Sequence, residues 1–279
     1  MNKNKYPIGF MQGRLSNFVG NVIQSFPWDN WENEFLFAKE NSLCLMEWTL
    51  DAKDLFKNPI MSEQGRKKIS YLSKKFNLFI PSLTGDCFMQ EPFWKSDNPD
   101  KLQKVFISVC ESASKLGIQD IVVPLVDNGS LENSYQYELL INYFNSKRKF
   151  FIENKLRILF ESDFNPIDLK KFISRFPDDI FGVNYDIGNS AALNFDSDEE
   201  FLNYGNRILN IHIKDRKIKG STLPLGQGDA DFAKVFKNIF KINYGGNYIL
   251  QTARARDNNH INAILKYKNF VISLLDKYS

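Results

Sequence analysis

The sequence predicts an α/β protein built as a (β/α)8 TIM barrel, a parallel eight-stranded sheet closed on itself. Three observations carry that prediction. Eight short apolar runs alternate with longer segments of helical period, and no Gly-, Pro- or Ser-rich linker separates them. The 279 residues match the roughly 250 of one such barrel, so a single domain over 1–279 is expected. An open doubly wound sheet usually has fewer strands and a glycine-rich first turn; here that turn, "MQGRLS", carries a lone glycine.

The strands are read in order as "YPIGFMQ" (6–12), "LCLMEWT" (43–49), "LFIPSLT" (78–84), "DIVVPLV" (120–126), "RILFESD" (157–163), "FGVNYDI" (181–187), "ILNIHIK" (208–214) and "NYILQTA" (247–253). Runs this apolar suit strands covered on both faces. A helix follows each. Pro27 opens the first (27–41), with Asp29, Glu32 and Glu34 in its early turns, where negative charge meets the positive end of the helix dipole. Ser62 begins the second (62–76), whose basic second half suits the opposite end. The third (99–117) repeats apolar residues at Leu102, Val105, Phe106, Val109 and Leu116 before Gly117 stops it. The remaining helices are read at 133–154, 165–176, 197–205, 229–240 and 262–278, the seventh of the eight capped by Asp229, Ala230 or Asp231.

Composition narrows the function classes. A 43% hydrophobic and 14% aromatic content fills a large core, and 25% charged residues make an ordinary polar surface. The net charge of +3 is spread over interspersed signs, which predicts no nucleic-acid partner and no membrane surface. No run of 18 apolar residues exists, and the N-terminal apolar stretch is cut by Gly9, Gln12 and Arg14, so neither a membrane span nor a signal peptide is predicted and a cytoplasmic location is expected. Cys44, Cys87 and Cys110 are far apart and form no C-x-x-C, which predicts reduced thiols rather than disulfides or a zinc site. A homo-oligomer stays open.

In a barrel of this kind ligands bind where strands end, so polar residues late in each strand are the informative ones. They are Glu47, Asp86, Asp127, Glu161, Asp186, His212 and Gln251. His212, within "ILNIHIKDR", would taken alone read as a core histidine that has found a hydrogen bond. Glu161, Asp186 and His212 on successive strands change that reading, because carboxylates gathered in a partly dry cavity cost several kcal/mol each unless a positive charge answers them. A divalent cation is the economical answer.

The ordered run "ILFESD", "NYDIGN", "NIHIKDR" and "PLGQGDADF" resembles the xylose isomerase-like sugar isomerase and epimerase superfamily, also described as the AP endonuclease family 2 barrels, over essentially the whole chain. The resemblance implies one metal bound by Glu161, Asp186, His212 and Gln251. Position 251 departs from the family, which has an acidic residue there. It further implies that a carboxylate, here Glu161, shuttles a proton through an enediol of a hydroxy-carbonyl sugar; from its own place beside His212, Lys214 is a second catalytic candidate. Oxygen donors with one imidazole suit Mn²⁺ first, with Mg²⁺, Co²⁺ or Zn²⁺ as alternatives. The nuclease branch uses several further histidines, whereas this chain has only His212 and His260, and Asn189 stands where that branch has another.

An amide at 251 cannot exchange a proton at neutral pH, so a one-base isomerisation of a sugar or sugar phosphate is favoured. A sugar 3-epimerase, a keto-polyol dehydratase and a non-catalytic carbohydrate-binding barrel are the alternatives. Glu47, Asp86 or Lys214 could supply a second group. Substrate contacts are expected from Arg14, Glu47, Asp86, Asn189, Arg216 and Arg254, and from the faces of Phe88 and Trp94. Arg14, Arg254 and Arg256 could grip a phosphate or carboxylate. Alternation turns Lys214 inward with His212 and Asp215 outward.

Overall fold

The computed structural model describes residues 5–20 and 22–278. Eight strands, β1 (Ile8–Met11), β2 (Met46–Leu50), β3 (Ser82–Gly85), β4 (Asp120–Leu125), β5 (Arg157–Ser162), β6 (Phe181–Asp186), β7 (Ile208–Ile213) and β8 (Asn247–Leu250), form a closed barrel, every neighbouring pair parallel. Closure comes from β1 pairing with both β2 and β8. The all-parallel sheet is the one the eight buried runs predict. Most strands are shorter than their apolar runs. Pro81, which has no N–H to donate, separates the isolated Leu45–Phe79 bridge from β3.

Register decides what faces the axis. Between β6 and β7 it shifts at Val183/Asn184, after which Asn184 lies opposite Asn210 and Asp186 opposite His212. The irregularity absorbs Leu209 and brings two polar pairs level. Helices cover the barrel, and aromatic rings fill the gap beside β5 and β6: Phe160 packs on Phe144, Phe172 and Phe176, and Phe181 on Phe151 and Phe176.

Two helices differ from the sequence reading, and a third settles on one of the caps it offered. Residues 27–32 form turns, because Trp28 and Trp31 fold onto Phe26, and the helix begins at Asn33. The long segment 133–154 breaks at Lys147 into helices 134–146 and 148–153, and the break lets Phe151 pack under Phe106 and Phe144. Helix 232–241 is capped by Asp231, which accepts from the Lys234 amide. Cys87 and Cys110 are buried free thiols. No helix among the described residues is long and apolar enough to cross a membrane.

Candidate metal and proton-transfer site

Below the C-terminal rim, the barrel interior carries a polar network. Glu47 is fully buried, and its two oxygens accept from the hydroxyls of Ser82 and Thr84, both at 2.6 Å, and from the Asn210 amide at 3.0 Å. His212 Nε2 lies 2.7 Å from the same carboxylate. The other ring nitrogen, Nδ1, lies 3.2 Å from Glu161 and 3.0 Å from the Asn184 amide. Asn184 in turn donates to Glu161 at 2.7 Å, and Asn189 donates to the other Glu161 oxygen at 2.7 Å. Burial disfavours charge on His212, but the facing carboxylates of Glu47 and Glu161 outweigh it and push the imidazole up to about 10. Glu47 itself is held low by His212 and its hydrogen bonds, against the desolvation that would raise it.

Asp186 closes β6 and caps the next helix, accepting from the Asn189 amide at 2.8 Å. Its other oxygen meets Lys214 Nζ at 3.1 Å, and the same ammonium reaches Asn189 Oδ1 at 3.2 Å and Gln251 Oε1 at 3.3 Å. Gly188 permits this path, since a Cβ there would stand 2.6 Å from Lys214 Cγ. Asp215 points the other way and accepts from the amides of Gly226, Gly228 and Ala230, organising the loop before helix 232–241.

One ligand atom from each of Glu161, Asp186 and His212 lies within 4.8 Å of the others. These residues fit a divalent cation on two counts. Glu47 engages Nε2, so Nδ1 is the nitrogen turned toward Glu161, the arrangement in which a carboxylate fixes a ligating imidazole. Glu47, Glu161 and Asp186 also outnumber the positive groups facing them, Lys214 and the protonated His212; a doubly charged ion that takes the place of the His212 proton would bring the group to neutrality. Gln251 stands beside Lys214 as a further oxygen donor.

The chain matches the family described as a xylose isomerase-like TIM barrel over residues 37–267. It belongs to that family. "Putative L-ribulose-5-phosphate 3-epimerase SgbU" of Haemophilus influenzae is 22% identical to this xylose isomerase-like barrel over 266 residues, covering 88% of this chain and 92% of that protein. Among solved structures, D-psicose 3-epimerase with D-tagatose from Clostridium cellulolyticum H10 superposes with a TM-score of 0.73 at 11% identity, covering 96% of this chain and 99% of the other. A xylose isomerase-like TIM barrel protein from Mycobacterium smegmatis in complex with magnesium superposes at 0.72 and 15% identity, covering 99% and 98%. These likenesses show the fold.

Several expected substrate contacts are spent elsewhere in this member of the family. Glu47 is saturated by its four partners and closed off from the rim. Phe88 and Trp94 are buried: Phe88 packs on Phe106, and Trp94 packs on Phe93 while its indole N–H donates to the Gly129 carbonyl. Both follow from the short helix 86–90 folding back on the barrel, with the Phe88 ring against Gly85. Arg14 is buried and tied to the carbonyls of Thr252 and Ile23; burial and the neighbouring Arg254 lower it to about 9. Arg254 donates to the Ser16 carbonyl and lies over the Phe18 ring, and Arg256 is exposed. Arg216 bonds the Gly220 carbonyl and Asn189. Asp86 remains at the rim.

The residues that sequence reasoning passes over are Ser82, Thr84, Asn184 and Asn210. The signal was available: Asn184 and Asn210 each stand two places before a candidate ligand, on the same face of the strand.

Proposed function

We propose that this chain is a divalent-cation-dependent sugar isomerase or epimerase that moves a proton at the carbon beside the carbonyl of a small sugar or sugar phosphate. The convergence of Glu161, Asp186 and His212 within 4.8 Å is the observation that carries the reading; the family and the epimerase names among its relatives support it. Glu161, Asp186 and His212 would hold the cation, with Gln251 as a further donor and Mn²⁺ the preferred ion for this mixed oxygen and imidazole set. A bound divalent ion supplies Lewis-acid stabilisation of the negative charge that develops on a substrate oxygen.

The chain's own residues do the rest. Glu161 takes the proton from carbon, and its electron pair enters the adjoining carbonyl to form an enediolate. The amides of Asn184 and Asn189 orient the Glu161 carboxylate, leaving lone pairs for the proton. Lys214, beside Asp186, places a positive charge where substrate oxygens gather. Glu47 acts at one remove, fixing the ring of His212.

Solvent exchange tests this. In D₂O with Mn²⁺, the wild-type protein is expected to wash deuterium into a ketose such as D-tagatose or into L-ribulose 5-phosphate. Glu161→Gln is expected to lower that exchange by about 10²–10⁴-fold, the usual contribution of a positioned general base, without loss of fold. Wild-type exchange rates in the variant would remove Glu161 from the chemistry, and a wild-type protein that exchanges neither sugar would point to a carbohydrate-binding barrel instead.

A further inference from the structure

Inverting a carbon requires proton traffic on two faces, and Glu161 serves one. The residue at the end of β8 cannot serve the other: Gln251 is an amide whose oxygen accepts from Lys214. Glu47 is saturated by Ser82, Thr84, Asn210 and His212. Asp51, past β2, accepts from the Phe26 amide and from Gln90. Asp86 is different. It is the first residue after β3, is 9% exposed, and its carboxylate has no hydrogen-bond partner among the described residues. A carboxyl largely buried at the strand end, with no protein group hydrogen-bonded to it, is free to meet a ligand.

Its place along the strand fixes where it points. On β3 both Ser82 and Thr84 turn inward and donate to Glu47, and Asp86 stands two residues beyond Thr84. The two-residue alternation along β3 therefore puts Asp86 on the inner face, at the C-terminal mouth of the barrel. Gly85 makes this turn feasible, since a Cβ there would stand 2.2 Å from the Phe88 ring that anchors the short helix.

We propose that Asp86 is the second acid–base residue of this site, meeting the substrate carbon from the β3 side of the rim while Glu161 meets it from the β5 side, so that the chain is an epimerase. The inference rests on the proton-transfer reading above. In the step, Glu161 removes the proton and the C–H pair becomes part of the enediolate. The pair then returns to the same carbon and takes the proton of the Asp86 carboxyl on the other face, while the carbonyl re-forms. Nothing is oxidised or reduced. Water afterwards takes the proton from Glu161 and returns one to Asp86. Burial, with the charges of Asp51 and Glu161, raises the Asp86 carboxyl to about 7 against the opposing pull of Arg14 and Lys214.

The test uses the full chain with Mn²⁺ in D₂O, with D-tagatose and L-ribulose 5-phosphate as probes and both exchange and epimer formation followed by NMR. Asp86→Asn is expected to lower epimer formation by at least about 100-fold while deuterium entry into the starting sugar through Glu161 persists. Asp86→Glu, which keeps the acid on a longer arm, is expected to recover part of the epimerisation, and thermal unfolding checks that both variants fold. A carbon-13 titration of the aspartate carboxyls is expected to lose one resonance titrating near 7 in Asp86→Asn. Wild-type epimerisation in a folded Asp86→Asn protein, or equal loss of exchange and epimerisation, would overturn the assignment while leaving Glu161 as the base. A wild-type protein with no exchange on either probe would overturn the proton-transfer reading and this inference with it.

Discussion

Glu34 shows at a single residue what burial does to a carboxyl that has hydrogen bonds but no ion pair within salt-bridge distance among the described residues. It accepts from the Gly13 and Leu15 amides at 2.9 and 3.0 Å and so shapes the turn after β1, yet desolvation, only partly offset by those amides and the charge of Arg254, pushes it up to about 7. A raised carboxyl binds its proton more tightly folded than unfolded, so its contribution to stability is present below its ordinary value of 4.5 and is lost as pH rises through about 7. The difference in unfolding free energy between wild type and Glu34→Gln is therefore expected to fall from pH 4.5 to 7; a flat or rising difference would show that Glu34 is charged throughout. Gln251→Glu is the complementary test at the rim. It is expected to tighten Mn²⁺ binding, read by calorimetry, because an anionic oxygen replaces an amide oxygen. His212 marks how far the sequence alone reaches at this scale. Alternation along β7 puts it on the inner face with Lys214, but its engagement with Glu47 depends on β2, 165 residues away in sequence, and no local pattern encodes that pairing.

Elements were more legible than contacts, because apolar runs and capping residues act within a few positions while side-chain destinations depend on packing. Asn165, Ser62 and Asp231 all cap helices through their side chains, and the strand cores fall within the apolar runs that predict them. The "GDCFMQEPFW" stretch misleads for the same reason: its aromatic composition reads as a sugar platform, whereas the short helix folds Phe88 and Trp94 into the core. The loop after β7 carries its own prediction. Asp215 is fully buried and takes three backbone amides of residues 226–230, each hydrogen bond to a charged group contributing about 1.5–3 kcal/mol and not additively. Asp215→Ala is expected to cost about 2–4 kcal/mol by chemical denaturation and to make this loop the first site of proteolysis, since three amides lose their acceptor at once. An unchanged cleavage pattern would show that the loop is held by other contacts. Gly228 belongs to the same device, because a Cβ there would stand 2.0 Å from Asp215 Oδ1.

At the scale of the whole molecule, the barrel turns eight separate strand ends into one rim, and the register shift between β6 and β7 brings Asn184 and Asp186 level with Asn210 and His212. The resulting interior holds three carboxylates, Glu47, Glu161 and Asp186, around one imidazole and one ammonium. That charge imbalance predicts a metal-linked stability: Mn²⁺ at 100 times its dissociation constant is expected to add about 2.7 kcal/mol to unfolding, seen as a higher melting temperature that a chelator reverses. The most direct measurement is a calorimetric titration of Mn²⁺ into metal-free wild-type protein and into Asp186→Asn, each checked for fold by circular dichroism. One ion per chain in the wild type and strongly weakened binding in the folded variant is the result predicted for a cation shared by Glu161, Asp186 and His212; no binding to the wild type, or equal binding to both, would contradict it.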